Sequence, residues 1–116
     1  MKKAHKLGQK GEEIAAQFLA HKKHQILDIN WRWRKAEIDL ISKHEHTLVF
    51  SEVKTRSSER FGQPKEFVSE RKESLMKDAA EAYLKLKNLD LEVRFDILSI
   101  VIKNEGIKIE HLENAF

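Results

Sequence analysis

Apolar residues recur along this chain with two different spacings, and each change of spacing marks a new element. From about residue 8 to 22 the period is helical. At 100° per residue, Leu7, Ile14, Ala15, Phe18 and Leu19 share one arc, with Glu12 on its flank and Glu13 turned further towards solvent. The spacing then becomes strand-like over about Ile26–Trp33, again over roughly 36–42, and over roughly 47–55, with Lys43-His44-Glu45-His46 as the turn between the last two. Residues 57–65 hold the single proline and one of four glycines, and read as a loop. A second helix is expected over about 66–87. Its apolar stripe is Val68, Leu75, Ala79, Ala82, Tyr83 and Leu86, and Lys72 fills the missing position in that stripe. Leu91–Ile102 predicts a long strand, with Val93, Phe95, Ile97 and Val101 on one face and Arg94, Asp96, Leu98 and Ile100 on the other. Ile107–Leu112 makes a last short strand after the Asn104-Glu105-Gly106 turn. The order α-β-β-β-α-β-β predicts an α/β fold, a mixed central sheet flanked by helices.

Composition narrows the class without naming a function. At 116 residues the chain is expected to form a single domain, with 41% hydrophobic and 35% charged residues. No apolar run approaches the roughly 20 residues of a membrane span. The basic N-terminus lacks the apolar stretch and cleavage site of a signal peptide. The absence of cysteine excludes disulfides and thiolate metal sites, and a cytoplasmic setting is the expectation. Net charge is only +3, but the positive charge is concentrated. Lys2, Lys3, Lys6, Lys10, Lys22 and Lys23 crowd the first segment, and Arg32, Arg34, Lys35, Lys54, Arg56 and Arg60 surround the acidic strands. Such clusters suit a solvated surface or a polyanion partner, and acid enclosed by base favours the polyanion.

The chemistry lies where acid interrupts the most strand-like segments. Asp39 sits within Glu37-Ile38-Asp39-Leu40-Ile41, and Glu52 and Lys54 follow directly on Leu48-Val49-Phe50. Alternation puts Leu48, Phe50, Glu52 and Lys54 on one face, with Glu52 and Lys54 about 6.6 Å apart along it. A hairpin centred near residues 44–46 sets Asp39 opposite the Glu52 region. Two carboxylates that close repel unless a cation or a proton sits between them. Oxygen donors alone suit Mg²⁺ or Mn²⁺ rather than zinc. A lysine beside them can orient a water or a scissile phosphate, or stabilise charge in a transition state. The plain alternative is a surface ion-pair network on a half-exposed hairpin.

Other positions offer less. Lys72 on the apolar stripe suits a snorkelling lysine or a phosphate contact. Trp31 and Trp33, interleaved with Arg32 and Arg34, suit packing at a sheet edge or stacking on single-stranded bases. Arg56, past the end of the Glu52 strand, is a phosphate-contact candidate. Arg94 and Asp96 share a strand face and are expected to pair. His44 and His46 flank a turn, and His5, His21, His24 and His111 lack zinc-site spacing.

Asp39, Glu52 and Lys54 together read D-x12-E-x-K, the spacing of the PD-(D/E)xK nuclease pattern. The chain resembles the YraN-like family of small bacterial predicted endonucleases, relatives of archaeal Holliday-junction resolvases. The likeness runs through Gly8-x-x-Gly11-Glu12 with Ala15 and Leu19, Asn30-Trp31-Arg32, Glu37–Ile41, Leu48–Arg56 and Phe61-Gly62-x-Pro64. It continues in Lys72, Ala80-x-x-Tyr83-Leu84, Arg94-Phe95-Asp96 and His111-x-x-Asn114-Ala115-Phe116. Ala36 stands where the family usually has glycine, and Ser51 where it usually has valine. The resemblance implies a restriction-endonuclease-like core and an Mg²⁺- or Mn²⁺-dependent phosphodiesterase acting on DNA, in particular branched or repair intermediates. Asp39 and Glu52 would be metal ligands with the Val53 carbonyl as a third, Lys54 would position the water, and Glu12 would reach in from the first helix. Arg32, Arg34, Arg56 and Lys72 would contact nucleic acid. Resolvase relatives act as dimers, so the resemblance extends to a homodimer. The rival expectation is a non-catalytic nucleic-acid-binding module of the same fold, working within a repair complex.

Overall fold

A computed structural model describes residues 2–58 and 68–116. Its elements follow the expected order: α1 (Lys2–His21), β1 (Gln25–Trp33), β2 (Ala36–His44), β3 (Thr47–Arg56), α2 (Glu70–Lys87), β4 (Glu92–Lys103) and β5 (Gly106–Leu112). Most of the loop expected over 57–65, the Phe61-Gly62-x-Pro64 motif, Arg60 and the first residues expected in the second helix lie outside the described residues.

Among the described residues the five strands form one mixed sheet in sequence order, β1-β2-β3-β4-β5. Neighbours are antiparallel except β3 and β4, which pair in parallel from Thr47–Glu92 to Arg56–Val101. A parallel pair needs a crossover, and α2 supplies it. The antiparallel neighbours need only short turns. Arg34 and Glu45 take up left-handed backbone angles in the turns after β1 and β2 (φ 56° and 55°).

The helices cover opposite faces. Leu48 and Phe50 of β3 pack with Ile38, Phe95 and the Met76, Ala79, Ala80, Tyr83 face of α2. Val53, with Leu40, Leu98 and Ile100, packs against Ala15 and Leu19 of α1. Even and odd positions of β3 therefore serve different helices, as pleating requires. The central strand β4 is buried on both faces from Phe95 to Val101, hence its near-continuous apolar run.

Two helical details depart from the pattern-based expectation. Helix α1 begins at Lys2, because lysine and alanine are good helix formers even where no apolar period announces them. On α2 the buried face is centred on Met76, Ala79, Ala80 and Tyr83, and Leu86, placed on the stripe by spacing, is 68% exposed. The helix ends as its chemistry dictates. Ser69 caps the start by accepting from the Lys72 N–H at 3.1 Å, and Asn88 closes the end in a left-handed conformation.

Candidate active site

The β2–β3 ladder runs from His44–Thr47 to Leu40–Ser51 and stops one position short of Asp39 and Glu52. There a side chain takes over from the backbone: Asp39 Oδ2 accepts from the Val53 N–H at 2.8 Å. The two acids thus face each other where the paired strands end, as the hairpin count required. Glu52 is buried, 6% exposed, and Asp39 is half-buried. Burial, a hydrogen bond with Glu52 and the charge of Glu52 push the Asp39 carboxyl up to about 8 from its ordinary 3.8. The Val53 N–H opposes that shift and the charge of Glu12 adds to it. Asp39 therefore keeps its proton at neutral pH.

Glu12 reaches the neighbourhood from α1 through two backbone features. Gly11 lies so close to β3 that a Cβ there would overlap Thr55 Oγ1, so glycine sets how near the helix approaches. On β1, Asn30 adopts a left-handed backbone (φ 52°), and its amide Nδ2 donates to Glu12 Oε1 at 3.0 Å. The Glu12 carboxylate is thereby turned towards Asn30. Among the described residues no group of three or more His, Cys, Asp or Glu side chains is arranged to hold a metal ion. The close pair is Asp39 with Glu52.

Lys72 completes the pair's surroundings. Its ammonium forms an ion pair with Glu52 Oε2 across a cleft of about 280 Å³, whose walls also include Lys35, Glu37, Asp39 and Met76. Lys54 is exposed two positions beyond Glu52, on the same face by alternation. The tip of the β1–β2 hairpin stands beside the cleft, carrying exposed Arg34 and Lys35. Arg32 pairs with Glu37 at 2.8 Å, and the Arg34 guanidinium lies over the Trp33 ring at 4.5 Å. Trp31 belongs to the packing, edge-on to Tyr83 at 5.1 Å. Arg56 is half-buried and donates to Ser99 Oγ at 3.3 Å.

A second polar group lies at the other end of the α1 face. Asp96, fully buried, accepts from Arg94 Nε and Nη2 (2.9 Å each), from His111 Nε2 (2.7 Å) and from the Asn114 N–H (3.0 Å). Burial acts to raise this carboxyl, yet the hydrogen bonds from His111, Arg94 and Asn114 outweigh it and hold it below the usual range. Lys22 Nζ lies 2.8 Å from His111 Nδ1, and an ammonium can only donate, which fixes the His111 proton on Nε2. His24 stacks on His44 with centroids 4.6 Å apart and bonds Ser42 Oγ through Nδ1 at 2.9 Å. Burial first, then His44, Arg94 and His111, hold His24 down at about 4, so it is neutral. The expected Arg94–Asp96 pair is present. The gathering of His24, His44 and His111 around it was hidden by their distance apart in sequence, although Arg94-Phe95-Asp96 and His111-x-x-Asn114-Ala115-Phe116 stood out as motifs. Ala115 N–H donates to the Phe95 carbonyl at 2.7 Å and Phe116 stacks on Phe95, so these motifs fasten the C-terminal segment to β4.

Comparison with known proteins gives a consistent family. The model of the "Uncharacterised protein family UPF0102" matches residues 11–100, which span both acids, Lys54 and Lys72. A UPF0102 protein of Christiangramia forsetii is 44% identical over 116 residues, covering 100% of this chain and 98% of the relative. One of Flavobacterium psychrophilum is 46% identical over 95% of this chain and 92% of its own length. One of Syntrophomonas wolfei is 45% identical over 95% of this chain and 96% of its own.

Proposed function

The chain belongs to the UPF0102 family, and we propose that it is a metal-dependent endonuclease hydrolysing phosphodiester bonds in DNA. One observation carries the reading: Asp39 and Glu52 meet at the end of the β2–β3 ladder, and Asp39 holds its proton up to about pH 8 because Glu52 is beside it. A structural ion-pair network would not place a second carboxyl there. A pair of this kind calls for a hard cation.

The donor set fits Mg²⁺ or Mn²⁺. Asp39 and Glu52 would hold the ion, with the Val53 carbonyl and Glu12 as further oxygen donors. When bound, the ion supplies Lewis acidity towards a phosphate oxygen. The chain's own residues do the rest. Lys54 orients the attacking water or the phosphate, and Arg32, Arg34 and Lys35 hold the backbone beside the cleft. The resolvase resemblance extends the proposal to branched and repair intermediates.

A second reading, a nucleic-acid-binding module that does not cut, draws on one feature. Glu52 already has a cation in Lys72, and Glu12 is engaged by Asn30. Purified protein incubated with linear, nicked, flapped and four-way DNA, with Mg²⁺ or Mn²⁺ and with chelator, separates the two. The nuclease reading expects metal-dependent cleavage, reduced about 100- to 1000-fold in Lys54→Ala while binding is retained. It also expects Mn²⁺ to raise the melting temperature of the wild type and not of Asp39→Asn/Glu52→Gln. Equal trace cleavage by wild type and Lys54→Ala assigns the protein to the binding module.

A further inference from the structure

We propose that Lys72 is an exchange residue of the cleft: without substrate it holds Glu52, and it yields Glu52 to a divalent cation when a nucleic-acid phosphate takes up its ammonium. The inference rests on the nuclease reading of the Asp39–Glu52 pair and concerns what controls that pair.

The placement of Lys72 on α2 supports it. Met76, Ala79, Ala80 and Tyr83 follow Lys72 at +4, +7, +8 and +11, so the lysine continues the buried face of the helix. Its backbone is anchored, because its N–H donates to the Ser69 cap. The stem is therefore directed at the sheet while the head remains free to turn. The side chain of Lys72 is 42% exposed and that of its partner Glu52 only 7%. Solvent, and any anion arriving from it, reaches the ammonium and hardly the carboxylate. Lysine suits this task better than arginine, since a compact point charge on a flexible stem changes partners without losing a two-pronged geometry.

Charge makes the two partners exclusive. An ammonium and a divalent cation within about 4 Å of one carboxylate repel each other strongly in a partly buried site. Metal uptake at Glu52 therefore requires Lys72 to leave. In water alone, leaving strips the ammonium of its partner. A phosphodiester in the cleft offers a new partner of the same sign as the old one. Phosphate and metal then assist each other's binding, and by linkage the two enhancements are equal. The ion would enter fully only alongside substrate.

The test is equilibrium binding, independent of turnover. Mn²⁺ is titrated into wild type and Lys72→Met, with and without a duplex oligonucleotide carrying phosphorothioate linkages, and read by calorimetry and melting temperature. Without oligonucleotide, Lys72→Met is expected to bind Mn²⁺ at least about fivefold more tightly than wild type. Oligonucleotide should tighten Mn²⁺ binding by about 5- to 150-fold in wild type and have no such effect in the variant. Should Lys72→Met fail to fold, wild type alone carries the test, because Mn²⁺ must tighten oligonucleotide binding by the same factor. Unchanged or weaker Mn²⁺ binding in Lys72→Met, or no coupling in wild type, overturns the exchange and leaves the nuclease reading intact. Loss of the reading itself looks different: no Mn²⁺ binding that depends on Asp39 and Glu52, with or without oligonucleotide.

Discussion

Asp39 keeps its proton to about pH 8 in the folded chain, whereas an unperturbed aspartate gives it up near 3.8. Between those values the native state binds a proton that the unfolded state has lost, so stability falls as pH rises through the window. Below it both states are protonated and the penalty vanishes. Above it both are ionised and the penalty is complete. Asp39→Asn keeps an acceptor for the Val53 N–H and removes the titration. It is expected to be more stable than wild type at pH 7.5 by roughly 1–3 kcal/mol, an advantage that shrinks towards pH 4.5. Urea melts at the two pH values check this, and an advantage independent of pH would contradict it. Saturating Mn²⁺ should reverse the ranking, since only wild type gains the ion. The sequence made this residue legible because Asp39 and Glu52 flank a short turn and counting places them opposite each other. Lys72 was legible only as an oddity on a stripe, since its partner lies on a strand outside its own helix and local spacing carries no such information.

At the scale of elements, α1 depends on one missing Cβ. Alanine for glycine within a helix ordinarily stabilises by about 1 kcal/mol. Gly11→Ala is expected to destabilise by about 1–3 kcal/mol instead, because the added carbon meets the stiff, β-branched Thr55 on the neighbouring strand. Thermal melting checks the sign, and a stabilised Gly11→Ala would remove the close approach as the reason for glycine. The strands were readable because both spacing and turn chemistry changed at each boundary. The buried face of α2 was less so. Alanines at 79, 80 and 82 carry too little apolar surface to fix the helix's rotation, and spacing assigned Leu86 to a core that does not reach it. The histidine group at Asp96 escaped for another reason: β-sheet pairing joined four distant segments, and nothing in any one of them announces the others.

For the whole molecule, a net charge of +3 understates the field at the cleft, because Arg34 and Lys35 sit at the hairpin tip beside it. No helix of the described residues is long and apolar enough to cross a membrane. Replacing Arg34 and Lys35 together by alanine is expected to lower the salt slope of duplex DNA binding by about 2, as two lost phosphate contacts require. Arg56→Ala should alter the melting temperature more than the slope, since Arg56 is spent on Ser99. Affinity titrations from low to high salt distinguish these outcomes. The single parallel pairing, β3 with β4, has a consequence in time. Strands β1, β2 and β3 follow one another through short turns, and such hairpins close within about 1–10 μs. The β3–β4 pairing must first close the whole crossover through α2, a slower search. Asp39 and Glu52 are thus brought face to face early, while Lys72 arrives only with the late helix. Each refolding chain passes through an interval in which two acids confront each other unneutralised, and refolding should quicken as the solution is made acidic enough to protonate them.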